Sequence, residues 1–194
     1  MAIVTGRSVD DVRARLGFEP QFIVGNHGAE GVGELGAAHK PFEALASFHL
    51  RLRDLGPALS AAGVTVEDKR HSMALHYRLS RTREQALEVI TRLLADHEKA
   101  LRVFGGKLVV NVVPQVAPDK ADAVRELVRR SGVSCALFAG DDVNDEPVFA
   151  AAVAGWLTIR VGRDAARSQA HLFLDSPAEI AVLLERMVSL LARQ

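Results

Sequence analysis

The chain has 194 residues, enough for one ordinary domain or for a core carrying one sizeable insertion. Its 24 basic and 24 acidic residues cancel, which argues against a nucleic-acid surface or a polybasic membrane patch. One cysteine, Cys135, excludes an intrachain disulfide; no apolar stretch approaches the roughly 18 residues that cross a bilayer and no signal-peptide layout is present, so a cytoplasmic protein in a reducing compartment is expected.

Ala2 to Val4 reads as an apolar strand running into Thr5-Gly6-Arg7. Ser8 is placed to cap a short helix with Asp10 and Asp11 in its first turn, and Gly17 stops it. Phe22 to Val24 reads as a second strand, leading into Gly25-Asn26-His27-Gly28-Ala29-Glu30. Strand, helix, strand in this order indicates an open parallel sheet. Gly31 to Lys40, rich in Gly and Ala without a period, is expected to be a linker or hinge. Beyond it Phe42, Leu45, Phe48, Leu52, Leu55 and Leu59 recur at helical spacing, with Pro57 near the end of that helix or at the start of a second. Val64 to Glu67 and Ser72 to Arg78 alternate as two strands about a polar turn. Thr82 to about Lys99 reads as a helix burying Leu87, Ile90, Leu93 and Leu94. Leu101 to Phe104 and Lys107 to Val113 complete this section as further strands.

From Pro118 the first pattern returns. Asp119 to Arg130 is helical, and Val133 to Ala139 is an apolar run expected to form a strand covered on both faces, with Cys135 buried in it. A short helix, Asp145 to Ala152, and strands at Leu157 to Val161 and Leu172 to Leu174 follow, and Ser176-Pro177 opens the last helix. The expectation is an α/β protein: a parallel-sheet, Rossmann-like core made of residues 1–34 and 115–194, with residues 35–114 as an inserted α/β cap.

Asp141, Asp142, Asp145 and Glu146 place four acids within six residues directly after an apolar strand. Ligands of open α/β sheets bind at the carboxyl ends of strands. Like charges this close raise one another's pKa unless a cation neutralises them, and the nearest sequence neighbours offer no Lys or Arg. A hard divalent ion with oxygen ligands answers the repulsion, and Mg2+ is the usual one where phosphate is handled. Acids at a helix N-terminus are the alternative, which accounts for Asp145 and Glu146 but not for two consecutive aspartates after Gly140. Lys120 falls in a first helical turn, where the dipole disfavours a cation by about 0.3–1 kcal/mol. A phosphate bound there would turn lysine and dipole to one purpose, whereas a solvated lysine would be harmless. In Thr5-Gly6-Arg7, a hydroxyl and a backbone amide at a strand-end turn can hold phosphate oxygens.

These segments together resemble the haloacid dehalogenase superfamily of phosphatases, with Thr5-Gly6 on its second motif, Lys120 on its third and Gly140-Asp141-Asp142-Val143-Asn144-Asp145 on its fourth. More narrowly, Thr5-Gly6-Arg7-Ser8, Gly25-Asn26-His27-Gly28-Ala29-Glu30, Glu67-Asp68-Lys69, His76-Tyr77-Arg78 and Pro118-Asp119-Lys120 resemble, in order, the trehalose-6-phosphate phosphatase family across nearly the whole chain. The resemblance implies a haloacid dehalogenase core with its cap, and Mg2+-dependent hydrolysis of trehalose 6-phosphate to trehalose and phosphate in trehalose biosynthesis. A small-molecule sugar phosphate is the implied partner, with no nucleic acid and no membrane. Thr5 and Lys120 would hold the phosphate. Asp141 would be a direct metal ligand, with Asp142 and Asp145 as further ligands or support. Arg7, Asn26, His27, Glu67, Lys69, Arg78 and Asn111 would bind substrate.

The resemblance also implies a nucleophilic aspartate and, two residues on, an aspartate acting as acid and base. Their motif, Asp-x-Asp-Gly-Thr, does not occur in these 194 residues, and the family places it ahead of Thr5-Gly6-Arg7. The expectation is therefore a phosphatase truncated at its N-terminus and impaired as it stands. A non-catalytic sugar-phosphate-binding remnant, or a phosphatase for another sugar phosphate, are the alternatives. Asn111 and Val113 stand where many relatives carry Glu and Arg, and Ala121 replaces the usual Gly after the lysine.

Overall fold

The computed structural model describes residues 1–31, 40–95, 99–163 and 167–193. The linker expected between Gly31 and Lys40, with the boundary near Glu34, lies outside the described residues save for its two ends, as does part of the expected helix beyond Ala95. The chain divides into two compact units, Met1–Ala123 and Val124–Gln194.

In the first unit β1 (Ala2–Val4) pairs in parallel with β2 (Phe22–Val24), connected through α1 (Val9–Arg13). Ser8 caps α1 as expected, its hydroxyl accepting from the Asp11 N–H at 3.3 Å. The long helix α2 (Lys40–Ala61) continues through Pro57 without dividing. It lies with α3 (Arg83–Leu94) on one face of a four-stranded antiparallel sheet in the order β3 (Thr65–Asp68), β4 (Met73–His76), β6 (Val109–Pro114), β5 (Leu101–Gly106). Leu45, Phe48 and Leu59 of α2, Ala86, Ile90 and Leu93 of α3, and Met73, Leu75 and Val112 of the sheet form the core between them. The α3 stripe is set by Ala86, Ile90 and Leu93, which recur at i, i+4 and i+7; Leu87 stands one position round the helix and is 40% exposed, contrary to expectation.

Side chains alternate across a strand, so residues in register share a face. Met73 and Val112 are paired and face the helices. The adjacent row, Glu67–Ala74–Asn111–Phe104, is in register across all four strands and occupies the opposite face.

The helix α4 (Lys120–Ser131) begins in the first unit and ends in the second. There β7 (Ala136–Gly140), β8 (Trp156–Val161) and β9 (Leu172–Leu174) form a parallel sheet in that order, with α5 (Glu146–Ala150) and α6 (Ala178–Leu191). Among the described residues β7 pairs only with β8. Its residues alternate in burial, Leu137 is 38% exposed, and Cys135, just before it, is exposed. The expected cover on both faces and the buried cysteine are therefore corrected: alternate side chains of β7 point to opposite faces, and among the described residues one of those faces is left exposed. The apolar side chains of Val182, Leu184, Val188 and Leu190 on α6 are likewise exposed.

Candidate functional site

The site begins where β1 ends. Thr5 donates its N–H to the Val24 carbonyl at 2.8 Å, and its own carbonyl accepts from the His27 N–H at 2.9 Å. Its hydroxyl accepts from the Arg7 N–H at 3.2 Å. The segment after β2 folds back over this turn through positive φ angles at Asn26 (49°), His27 (59°) and Gly28 (116°). The Asn26 N–H donates to the Arg7 carbonyl at 2.8 Å, and Glu30 accepts from the Val9 N–H at 3.0 Å, at the start of α1. Two glycines are required by close approach. A Cβ on Gly6 would lie 2.6 Å from His27 Nε2, and one on Gly28 would overlap the Asp119 carbonyl. The Thr5-Gly6-Arg7 turn, the Asn-His-Gly segment and the start of α4 are thus pressed together. Lys120, the first residue of α4, is 7% exposed, and Asp119 and Asp122 cap that turn by exchanging hydrogen bonds of 2.9 and 3.1 Å.

The face of the antiparallel sheet that bears Glu67 meets this turn. Lys69, just beyond β3, donates from Nζ to the Gly6 carbonyl at 3.2 Å and stands 3.6 Å from Glu67 Oε2. Glu67 also meets His76 Nε2 at 2.9 Å. Burial works to raise the Glu67 carboxyl, but the hydrogen bond to His76 and the charge of Lys69 outweigh it and hold it below the usual carboxylate range. Phe104 packs edge-on against His27, ring centres 4.9 Å apart. Arg102 donates to the Ala117 carbonyl at 3.2 Å, three residues before Lys120.

Thr5, Asn26, His27, Glu67, Lys69, Asn111 and Lys120 are therefore brought to one region of the first unit. Asn111 takes part through the row it shares with Glu67 and Phe104. Two other expected substrate residues stand apart. Arg7 is exposed and paired with Asp11 at 2.7 Å, and Arg78 is exposed in the turn after β4. Phe104, Arg102 and Ser72 escaped the sequence reading. An aromatic or an arginine in an alternating strand carries no chemical signal until its partner across space is known.

In the second unit the acidic segment follows β7, at the carboxyl end of a parallel strand. Asp142 and Asp145 form a reciprocal cap: the Asp142 N–H donates to Asp145 Oδ2 at 2.9 Å, and the Asp142 side chain accepts from the Asp145 N–H, which also reaches the Asp142 carbonyl at 3.1 Å. Asp142 Oδ1 also accepts from the Val143 N–H at 2.7 Å. A Cβ on Gly140 would overlap the Asp145 carboxylate, which explains the glycine before the acids. Although the local sequence offers no cation, the fold supplies one. Arg160, 2% exposed in β8, donates to the Asp142 carbonyl at 2.8 Å and to Glu146 at 3.2 Å. Its signal was a charge inside an apolar strand. Arg160→Met should lower the stability of this unit by about 1–3 kcal/mol, because Asp142 and the half-buried Glu146 lose their donor. Adding Glu146→Gln should recover part of the loss in thermal melting.

Among the described residues no three acidic, histidine or cysteine side chains are grouped to hold a metal. Asp141 is exposed and has no described partner, while Asp142 and Asp145 spend carboxylate oxygens on the cap. One free carboxylate at a strand end still fits Mg2+, which takes one or two protein carboxylates and fills the rest of its shell with water and phosphate oxygens.

Comparison with known proteins adds an independent line. The sequence profile of the trehalose-phosphatase family matches residues 1–177. A trehalose-phosphate phosphatase of Mycolicibacterium paratuberculosis is 34% identical over 211 residues, covering 100% of this chain and 53% of its own length. The chain thus spans about half the length of the curated relatives it matches. A solved trehalose-6-phosphate phosphatase related protein superposes with a TM-score of 0.77 at 22% identity, covering 99% of this chain and 82% of the other. The C-terminal domain of the Candida albicans trehalose-6-phosphate phosphatase gives 0.75 at 18% identity, covering 97% and 78%. At these identities the structures show a shared haloacid dehalogenase-like α/β fold.

Proposed function

Since the chain belongs to the trehalose-phosphatase family, we propose that it carries the phosphate- and sugar-binding surfaces of a Mg2+-dependent phosphatase that converts trehalose 6-phosphate and water to trehalose and orthophosphate. Residues 1–34 and 115–194 act as the core and residues 35–114 as the cap.

One observation carries the reading. The sheet face bearing Glu67 and Asn111 is tied to the Thr5-Gly6 turn by Lys69, so hydroxyl-binding groups and phosphate-binding groups share one wall. The Thr5 hydroxyl and the amides of its turn hold non-bridging phosphate oxygens, and the Lys120 ammonium at the N-terminus of α4 offsets their charge. Glu67 accepts hydrogen bonds from sugar hydroxyls, and Asn111 accepts and donates. In the second unit Asp141 would hold Mg2+, a cation that offsets the charge of phosphate oxygens when bound. In the resembled superfamily attack on phosphorus and proton transfer to the leaving group are performed by an Asp-x-Asp-Gly-Thr segment, which does not occur within these 194 residues.

The test restores that segment, taken from a mycobacterial relative, ahead of Met1. Orthophosphate release with Mg2+ should favour trehalose 6-phosphate over sucrose 6-phosphate and glucose 6-phosphate by about tenfold or more in kcat/KM. Equal rates on all three would overturn the sugar assignment.

A further inference from the structure

We propose that Asn26 is a positioning residue and not a sugar contact: it fixes the β3–β4 hairpin against the Thr5-Gly6-Arg7 turn, and so places Lys69 and Glu67 beside the phosphate-binding end of the site. The inference deepens the proposed function and rests on it.

Asn26 is 0% exposed, and its side chain is fully committed. A carboxamide has two N–H donors and one acceptor oxygen. Both donors are spent, on Glu30 Oε2 at 2.7 Å and on the Lys69 carbonyl at 3.2 Å, and Oδ1 accepts from the Ser72 hydroxyl at 2.7 Å. No donor remains for a ligand, and burial closes the way to the oxygen.

What these bonds join gives the residue its role. Lys69 and Ser72 are the two sides of the hairpin turn, linked by the Lys69 N–H to the Ser72 carbonyl at 2.9 Å. Glu30, the third partner, holds the start of α1 through Val9. The Asn26 backbone meanwhile donates to Arg7, directly after the Thr5-Gly6 pair. One side chain therefore grips both sides of the hairpin turn while its main chain grips the phosphate-binding turn. With the Lys69 backbone held in this way, its ammonium reaches the Gly6 carbonyl with only 13% of the side chain exposed.

Other side chains cannot substitute. Aspartate has no donor for the Lys69 carbonyl and would face Glu30 as a like charge. Alanine leaves Ser72, Glu30 and the Lys69 carbonyl without their shared partner. Asn is also among the few residues that accept a φ of 49° easily.

The experiment compares Asn26→Ala with the parent, both carrying the restored Asp-x-Asp-Gly-Thr segment, on trehalose 6-phosphate and on p-nitrophenyl phosphate, which has no sugar to read. The loss of kcat/KM on the sugar phosphate should exceed the loss on the aryl phosphate by about tenfold or more, mostly in KM. In a Lys69→Met background the same substitution should add less than about threefold. Equal losses on both substrates would reduce Asn26 to a structural residue, and full additivity with Lys69→Met would show that it does not act through Lys69.

If the parent shows no preference for trehalose 6-phosphate, the functional reading fails, and hydrogen exchange then decides the inference on the 194-residue chain itself. Asn26→Ala should speed exchange at Lys69 and His71 while the β4–β6 ladder keeps its protection. An unchanged hairpin would overturn the proposal.

Discussion

Replacing Gly28 with alanine is expected to lower the unfolding free energy of the first unit by about 2–6 kcal/mol, from roughly 1–3 kcal/mol of backbone strain and a similar cost of overpacking. The strain arises because φ is 116°, well outside the range an L side chain adopts. The overpacking arises because the new methyl would overlap the Asp119 carbonyl, main chain that cannot swing aside as a flexible side chain would. Gly132 provides the control. It also has a positive φ, 64°, but nothing lies within 4 Å of its added Cβ. Gly132→Ala should cost only about 1–2 kcal/mol. The comparison is read as the shift in urea midpoint for each variant, and equal shifts would show that the approach of Gly28 to Asp119 is not tight. Any relaxation of the Asp119 carbonyl is transmitted to Lys120, the next residue after it.

Lys120→Met is expected to reduce phosphate release by about 10²–10³-fold in kcat, the range for loss of one preorganised group that stabilises developing charge. The measurement uses the chain with the Asp-x-Asp-Gly-Thr segment restored. Methionine keeps the length and the apolar stem of the side chain and removes only the charge. Lys120 is 7% exposed in the first turn of α4. A kcat changed less than threefold would overturn the assignment of Lys120 as a phosphate ligand.

Local chemistry made much of this molecule legible. Ser8 announces its helix through its side chain, β1 and β2 appear as apolar runs, and the glycines before and within the motifs stand where the fold demands close approach. Tertiary partnership was not legible. Periodicity says which residues share a face but not what lies opposite. The apolar strand β7 could be expected beneath two layers, yet among the described residues its side chains alternate between half-buried and exposed. The same limit hid Arg160, which answers the acidic segment from the neighbouring strand, and Phe104, which meets His27 from a strand more than 70 residues away in sequence. Asn26 shows the sharpest form of it. Residue type and motif suggested a ligand contact; only the positions of Lys69 and Ser72 reveal that its hydrogen bonds are already taken.

The antiparallel sheet of the first unit separates two kinds of demand by parity. Residues 73, 75 and 112 hold the fold against α2 and α3, while 67, 104 and 111 belong to the opposite face. Neighbours in the chain thus serve different contacts. A substitution at 67, 104 or 111 acts on the layer that meets the Thr5-Gly6 turn and His27, and leaves the packing against α2 and α3 in place. A one-residue insertion within β4 or β6 would be another matter, since it would exchange the two faces and forfeit both at once.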